Sequence, residues 1–593
     1  MRWPNGSRLW SFNCIIEMKN SKTKRVKHAA PIAVAAAPRT DPWIWIYAAS
    51  LLIALFAAFE VYWPAIHGPF LLDDTHLTYM LPNASDLPFK AWLHQMRPLL
   101  MFTFWLNYQE SGAQETFGYH AWNVLLHFFN AIFIFLSVRK VLSWAGVEES
   151  RIRILSFFAA GLFLLHPVQT ESVSYIASRS ETLSVFFVLA ALVVFLYRNA
   201  AVLSIPRILA LLALFTAAGL SKEHTAVLPA LFILTDYYWN FEFSPSVIWR
   251  NWKLYVPIAA ASVFAVVVIL RILRGNQTAG FQIQGLAWYQ YFFTECRVIW
   301  AYIRLFVFPI GQNLDPDIAI SRSITSHGAV IGLAGLLALS ALAWIYRRRF
   351  PIASYGWFVF LILLAPTSSF APIRDPMAER RLYLPFIGLL FITVEFLRRW
   401  KPSRNVFVGV LALVLVVEGA LTYQRNLLWG SAIDIWKDTV SKSPQKLRPR
   451  FQLAFVEFQA AACSDSVDEF QKAAALEPPT YDLLLDWALA YDCAGNSQQA
   501  IAKLQQAAAQ HPGGHVYSQI GMEYGKIGKY PEALEALTTA QRLDPGFAMT
   551  YYYLGNIHAI QGNSAQARED YQRVLALDPN NAPATEALAR MGH

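Results

Sequence analysis

Apolar runs as long as a bilayer is thick do most to limit what this chain can fold into. One runs from Trp43 to Ala65, and another from Val406 to Thr422 is broken only by Glu418. A helix of about 20 predominantly apolar residues spans the hydrocarbon core, so these runs commit the chain to membrane-embedded helices. Charge content argues the same way: 15% of residues are charged, against about 25% in an average soluble protein. The net charge of +9 does not indicate a nucleic-acid partner. Its Lys and Arg residues stand in short stretches beside apolar segments, as in the cytoplasmic loops of membrane proteins.

Lys19, Lys22, Lys24, Arg25 and Lys27 precede the first run. That run is too long for a signal-peptide core, and Glu60, Tyr62, Trp63 and Pro64 stand at its end where small residues would mark a cleavage site. It reads as an uncleaved first span with a cytoplasmic N-terminus behind a disordered tail, residues 1–40. Candidate apolar helices lie near 43–64, 120–141, 152–166, 181–198, 207–220, 224–239, 253–272, 287–308, 328–346, 353–370, 382–397 and 405–423. If all of them crossed, Arg347-Arg348-Arg349 and Arg398-Arg399-Trp400-Lys401 would face outward, against the positive-inside rule. Segment 287–308 carries Glu295, Arg297 and Arg304, and charge deep in lipid is expensive. Taking it as interfacial or re-entrant restores the rule. About eleven spans remain, with the N-terminus inside and the C-terminus outside. Loops 65–119, 167–180, 221–223, 273–327 and 371–381 then share the outer side.

Beyond residue 423 the pattern changes. Pro444, Pro478, Pro512, Pro545 and Pro579 recur every 33 or 34 residues. Gly495, Gly528 and Gly562 keep nearly the same period, each followed five residues later by Ala500, Ala533 or Ala567. This is the tetratricopeptide period: glycine at the turn between paired helices, alanine where they pack closely, proline where the second helix stops. About four repeats, the first degenerate, and a short cap fill the C-terminal end, and their stacking leaves a concave face for a protein or peptide. The predicted fold is therefore all-α, a polytopic membrane domain (41–423), a connecting helix (424–444) and a tetratricopeptide α-solenoid (445–593). Cys14, Cys296, Cys463 and Cys493 are scattered, with neither metal spacing nor a disulfide framework.

Four outer loops carry residues capable of chemistry. Asp73 and Asp74 can act as a base, a metal ligand or a helix cap. The stretch His166 to Thr182 holds Glu171 and Arg179 at the bilayer edge, where ionisable groups are functional candidates, although a Glu–Arg pair can merely fix a loop. Lys222 and Glu223, squeezed between apolar helices, can act or simply neutralise each other. Arg380, Arg381 and Tyr383 follow Arg374-Asp375-Pro376; interfacial arginines suit a phosphate, with snorkelling as the rival explanation. Carboxylates and arginines gathered on one side of a membrane suit a reaction between a lipid phosphate and a soluble acceptor.

The stretches FLLDDTHLTY, RPLLMFTF, GYHAWNVLLH, LLHPVQTESVSYIASRSETLS, GLSKEH and AERRLYLPFIG, with the segment from Trp429 to Pro444, resemble those of the transmembrane and tetratricopeptide-repeat O-mannosyltransferase family, within the GT-C class of integral-membrane glycosyltransferases. The resemblance implies a polyprenyl-phosphate sugar donor, mannose foremost, and inverting transfer to Ser or Thr hydroxyls of a protein held by the repeats. It puts Asp73 or Asp74 at the catalytic centre, with Glu171 as the second-loop acid. Arg97, Arg179, Arg380 and Arg381 would bind the donor phosphate, with Tyr383 beside them and Arg297 and Arg304 behind; His166, Lys222 and Glu223 would support. The second loop has no Asp-x-Asp pattern, so no cofactor is required, a divalent metal is not favoured, and no residue is assigned to one. The short repeat array points to a bacterial inner membrane rather than an endoplasmic reticulum. Two rival readings are a non-catalytic membrane anchor for a repeat scaffold and a transferase acting on a glycan or lipid. Carboxylates at the bilayer edge disfavour the first, and a peptide-binding groove would disfavour the second.

Overall fold

The computed structural model describes residues 43–81, 84–240, 243–244, 246–274 and 278–591; the expected tail, 1–40, lies outside them. Contacts divide the chain after Leu51. The described residues before that point open the first helix, and the packing below is that of the unit from Leu52 onward.

The helices run α1 (Trp43–Tyr62), α2 (Phe89–Leu93), α3 (Pro98–Ser111), α4 (Phe117–Trp144), α5 (Glu149–Leu165), α6 (Thr170–Ser174), α7 (Arg179–Leu196), α8 (Ile205–Ser221) and α9 (Leu228–Trp239). Then come α10 (Val247–Arg250), α11 (Trp252–Leu273), α12 (Trp288–Val307), α13 (Ala329–Ile345), α14 (Pro351–Leu364), α15 (Phe386–Arg399), α16 (Arg404–Trp429) and α17 (Ala432–Lys442). The repeats are α18 (Leu447–Gln459), α19 (Cys463–Leu476), α20 (Tyr481–Cys493), α21 (Ser497–Gln510), α22 (Gly514–Lys526), α23 (Tyr530–Leu543), α24 (Ala548–Ile560) and α25 (Ser564–Leu577), closed by α26 (Ala582–Met591). Among the described residues the only β pairing is an isolated antiparallel bridge between Ala279 and Ile373. The fold is all-α, as expected.

Six described helices are long and apolar enough to cross a membrane alone: α1, α4, α7, α11, α13 and α16; α5 with the bent continuation Pro167–Ser174 makes a seventh. The expected eleven require α8, α9, α14 and α15 as well, of 17, 12, 14 and 14 residues. A 14-residue helix is about 21 Å long, short of the roughly 30 Å core. These helices are short because polar loops cut into their ends, and those loops build the site.

Close packing compensates. Where α14 crosses α15, a Cβ on Gly356 would lie 2.5 Å from the Gly388 carbonyl and one on Gly388 2.5 Å from the Phe360 nitrogen. Backbones can touch there only because both residues are glycine, the small-residue contact by which membrane helices associate.

The connections sort into two ends. At one, Asn251 and Tyr255 bond Asp236, which pairs with buried Arg198, and Arg399 reaches the Arg349 carbonyl. At the other lie the loops carrying Asp73, Glu171, Lys222 and Arg380. Residues flanking α12 on both sides meet the loop 371–381: Arg374 donates to the Thr278 carbonyl at 2.9 Å, and Asn313 N–H donates to Glu379 at 2.6 Å. So α12 enters and leaves at the same end.

Each repeat is a helical hairpin turned at a left-handed residue. Gly495, Gly528 and Gly562 have φ of 72°, 75° and 81°, and in the degenerate first repeat Ala461 sits at φ 58°. Cys463 and Cys493, expected to be unrelated, form a disulfide between the first two repeats. Sequence distance hid the pair, because stacking rather than local spacing brings α19 and α20 together.

Candidate active site

The loop after α1 turns sharply at Leu72, whose φ of 47° is uncommon for a side chain other than glycine. That turn sends the two carboxylates apart. Asp74 folds inward, 1% exposed; one oxygen accepts from Leu71 N–H at 2.9 Å and the other from Ala177 N–H at 2.6 Å. Burial pushes its carboxyl up to about 8, the two backbone hydrogen bonds opposing the rise. Asp73 is exposed, and its backbone N–H donates to the Tyr175 hydroxyl at 2.8 Å. One acid of the pair builds the loop and the other remains open.

Glu171, on the short helix α6, is buried, accepts the Arg380 backbone N–H at 3.0 Å and pairs with the Arg380 guanidinium. That guanidinium also lies 5.9 Å from the centre of the Tyr175 ring. It feels the Asp73 charge, and Glu171 raises its basicity despite burial. Asp73, Tyr175, Arg380 and Glu171 thus form one continuous group drawn from three loops.

Lys222 and Glu223 do not neutralise each other. Lys222 Nζ donates to Glu181 at 2.5 Å, and burial lowers its amine while Glu181 opposes. Glu223 accepts two 2.8 Å bonds from Arg97 Nε and Nη2. His224 Nε2 lies 3.6 Å from Glu181, and its Nδ1 is buried without a hydrogen-bond partner. Arg97 also feels Asp73, and Lys222 feels Arg97 and Arg380. Beside these groups opens a cavity of about 590 Å³. Arg97, Lys222, Glu223 and His224 form its polar wall; Val227, Val266, Ile269, Pro372 and Ile373 are among its apolar residues.

Other candidates lie elsewhere. Arg179 is fully buried, bonded to Asn123 Oδ1 at 2.9 Å and to the carbonyls of Tyr119 and Thr103 at 2.8 and 3.3 Å, with Phe104 under its guanidinium. It has no open edge for a phosphate and instead ties α7 to α3 and α4. The Tyr383 hydroxyl is enclosed between His127 and Asn130 at 2.8 and 3.0 Å, and His166 is a buried cap bonded to Val168 N–H and the Phe306 carbonyl. Arg381 holds the carbonyls of Asp375 and Pro376 and so shapes the loop presenting Arg380. Arg297 and Arg304 bond backbone near their own helix, at Ala319 and Ile310. Tyr175, Glu181 and His224, to which the candidate stretches assign no separate role, join the site through these contacts; the signal for Glu181 is an acid within an apolar helix.

The repeats dock on these loops. Arg448 bonds Asp315 through Nε at 2.7 Å and Asp375 through both terminal nitrogens at 3.0 and 2.9 Å; Lys446 Nζ adds a 2.6 Å bond to Asp315. An apolar cluster joins Leu71 and Tyr175 of the site to Trp429, Trp436 and Leu453 of α16 to α18.

Residues 519–582 match the family profile described as tetratricopeptide repeat. "Protein O-mannosyl-transferase F38B6.6" of Caenorhabditis elegans is 24% identical over 458 residues, 72% of this chain and 63% of the relative. "Protein O-mannosyl-transferase Tmtc3" of Drosophila melanogaster is 23% identical over 420 residues, 58% of this chain and 44% of that one. The chain thus spans less than two thirds of the length of either relative. Among solved structures, that of MamA is 20% identical at a TM-score of 0.24, covering 28% of this chain and 94% of its own. Most of the chain is thus similar in sequence to proteins named protein O-mannosyl-transferase, and its C-terminal end carries a tetratricopeptide repeat.

Proposed function

We propose that the chain is an integral-membrane glycosyltransferase that moves a sugar, mannose in the first instance, from a polyprenyl phosphate to a Ser or Thr hydroxyl of a protein on the non-cytoplasmic side. The observation that carries this reading is an open carboxylate, Asp73, electrostatically coupled to Arg97, which lines an amphipathic cavity, and to Arg380, which faces the Tyr175 ring. The cavity's apolar residues suit the first isoprene units and its polar wall suits the phosphate. Asp73 takes the proton of the attacking hydroxyl. The acceptor oxygen bonds to the anomeric carbon on the face opposite the departing phosphate, the carbon–phosphate oxygen bond breaks, and its electron pair stays on the phosphate. Lys222, Arg380 and the Nη1 edge of Arg97, left over from its two bonds to Glu223, stabilise that charge. Their carboxylate partners hold them in place before the donor arrives. This chemistry calls on no metal. The disulfide between the first repeats fits an oxidising compartment, and the repeats present the acceptor polypeptide.

The test is transfer of radiolabelled mannose from polyprenyl-phosphate mannose to a pool of secreted proteins by the purified chain. Transfer by the wild type, its loss in Asp73→Asn and a raised donor requirement in Arg97→Gln are expected. Failure of the wild type with a panel of lipid-linked sugars, or equal transfer by Asp73→Asn, would overturn the proposal.

A further inference from the structure

Away from the candidate active site, a second groove of about 450 Å³ runs between α12, α13, α14 and α15. Its walls include Trp300, Leu342, Ala353, Leu389 and Phe396. Four of the polar groups on them are satisfied internally: Trp300 Nε1 donates to the Gly332 carbonyl, Trp357 Nε1 to Ser340, Ser354 to the Ala343 carbonyl and Thr393 to the Leu389 carbonyl, which leaves the Tyr346 hydroxyl at the cationic end. Such a groove offers little to a polar ligand and suits an acyl chain.

One end is strongly cationic. Tyr346, Phe350 and Phe396 line it, next in sequence to Arg347-Arg348-Arg349 and Arg398-Arg399. The guanidiniums of Arg349 and Arg399 lie 5.6 and 4.3 Å from the centre of the Phe350 ring, itself part of the wall. The acid here is Glu395, fully buried and already shared by Arg398, Arg399 and the Ile352 N–H. Arg348 and Arg349 are exposed and pair with no carboxylate among the described residues. Arg347 is turned away from the groove: its guanidinium lies 4.3 Å from the centre of the Trp344 ring and 5.5 Å from that of Phe243, and its Nη1 donates to the Trp344 carbonyl. An apolar channel ending in uncompensated arginines is complementary to a molecule with a hydrocarbon chain and an anionic head.

We propose that this groove is a binding site for an anionic membrane phospholipid, its acyl chain between α12 and α15 and its phosphate at the exposed Arg348 and Arg349. The lipid-linked sugar is not the occupant, because Asp73 lies at the other end of the helices. Bound there, the phospholipid fills the seam beside α12, which enters and leaves at one end and lacks the anchoring of a crossing helix.

Native mass spectrometry of the purified full chain, titrated with phosphatidylglycerol or phosphatidylcholine, tests this. The wild type should retain phosphatidylglycerol at roughly thirtyfold lower lipid concentration, as two arginines near a phosphate imply. Arg348→Gln with Arg349→Gln should abolish the preference, and Arg348→Lys with Arg349→Lys should keep it. Ala353→Trp, which plugs the groove away from the arginines, should displace the lipid. Equal retention of the two lipids by the wild type, a preference that survives the glutamine pair, or undiminished retention by folded Ala353→Trp would each overturn the proposal. The last outcome would reduce the site to surface attraction.

Discussion

The two adjacent aspartates should separate cleanly when each is changed to asparagine. In Asp74→Asn one side-chain atom can still accept from Ala177 N–H, but an amide NH₂ must then face Leu71 N–H, which at present donates to a carboxylate oxygen at 2.9 Å. Because Asp74 is 1% exposed, no water replaces the lost acceptor, and an orphaned buried donor costs about 1–3 kcal/mol, read below about pH 4, where the wild-type carboxyl is neutral in the folded and unfolded chain alike. Asp73→Asn leaves its backbone bond to Tyr175 intact and changes an exposed group, so stability should move by less than about 0.5 kcal/mol. Its transfer rate should instead fall by about 10²–10⁴, the usual worth of a positioned general base. A pH signature accompanies this division. Folded Asp74 keeps its proton up to about pH 8, whereas in the unfolded chain it ionises near 3.9. The folded state therefore binds more protons between these values, and this group's contribution to stability falls as pH rises through that window. Asp74→Asn should remove that component. Initial transfer rates and thermal unfolding followed by intrinsic fluorescence measure both effects. An Asp73→Asn enzyme keeping more than a tenth of the wild-type rate, or an Asp74→Asn protein as stable as wild type with an unchanged pH profile, would refute the assignment.

Three further outcomes follow from the repeats and their docking. Arg448→Ala should weaken the clamp by about 2 kcal/mol, the scale of a charge-assisted hydrogen bond, because Lys446 still holds Asp315. Adding Lys446→Ala strands a carboxylate that is 3% exposed and should raise the loss to about 3–5 kcal/mol; hydrogen exchange of α17 and α18 reports both. Replacing Ala461 by Gly should stabilise the first repeat by about 1 kcal/mol, since left-handed backbone penalises a Cβ, and an unchanged melting profile would contradict this. Reduction of the Cys463–Cys493 bridge, which spans 30 residues, should destabilise the first two repeats by about 3–4 kcal/mol on the chain-entropy scale. Faster exchange in α19 and α20 alone would be the signature.

The clamp alters how the two halves of the chain relate. Asp375 bonds Arg448 through its side chain and Arg381 through its carbonyl, and Arg380 is the next residue back from Arg381. The first repeat therefore braces the loop that presents Arg380, and the salt bridges hold its carboxylate below the usual range. That part of the bracing is present at neutral pH and weakens only as acid titrates Asp375 below the ordinary aspartate value.

Much of the architecture is periodic or compositional, and the sequence by itself determined that much. Apolar runs of bilayer length, prolines every 33 or 34 residues, and the misplaced charges of segment 287–308 are local signals, each legible within one window of chain. Function within the loops obeyed a different logic. Asp73 and Asp74 are neighbours of identical chemistry, and only the left-handed turn at Leu72 and the amide of Ala177, 103 residues away, decide which is buried. Lys222 and Glu223 look like an internal pair, yet their partners stand 41 and 126 residues off. Arg179 and Arg380 were indistinguishable as candidates until packing enclosed one and left the other beside Tyr175. A charged side chain acquires its role from whatever desolvates and opposes it, and in a folded chain those neighbours come from distant segments that only the tertiary structure brings together.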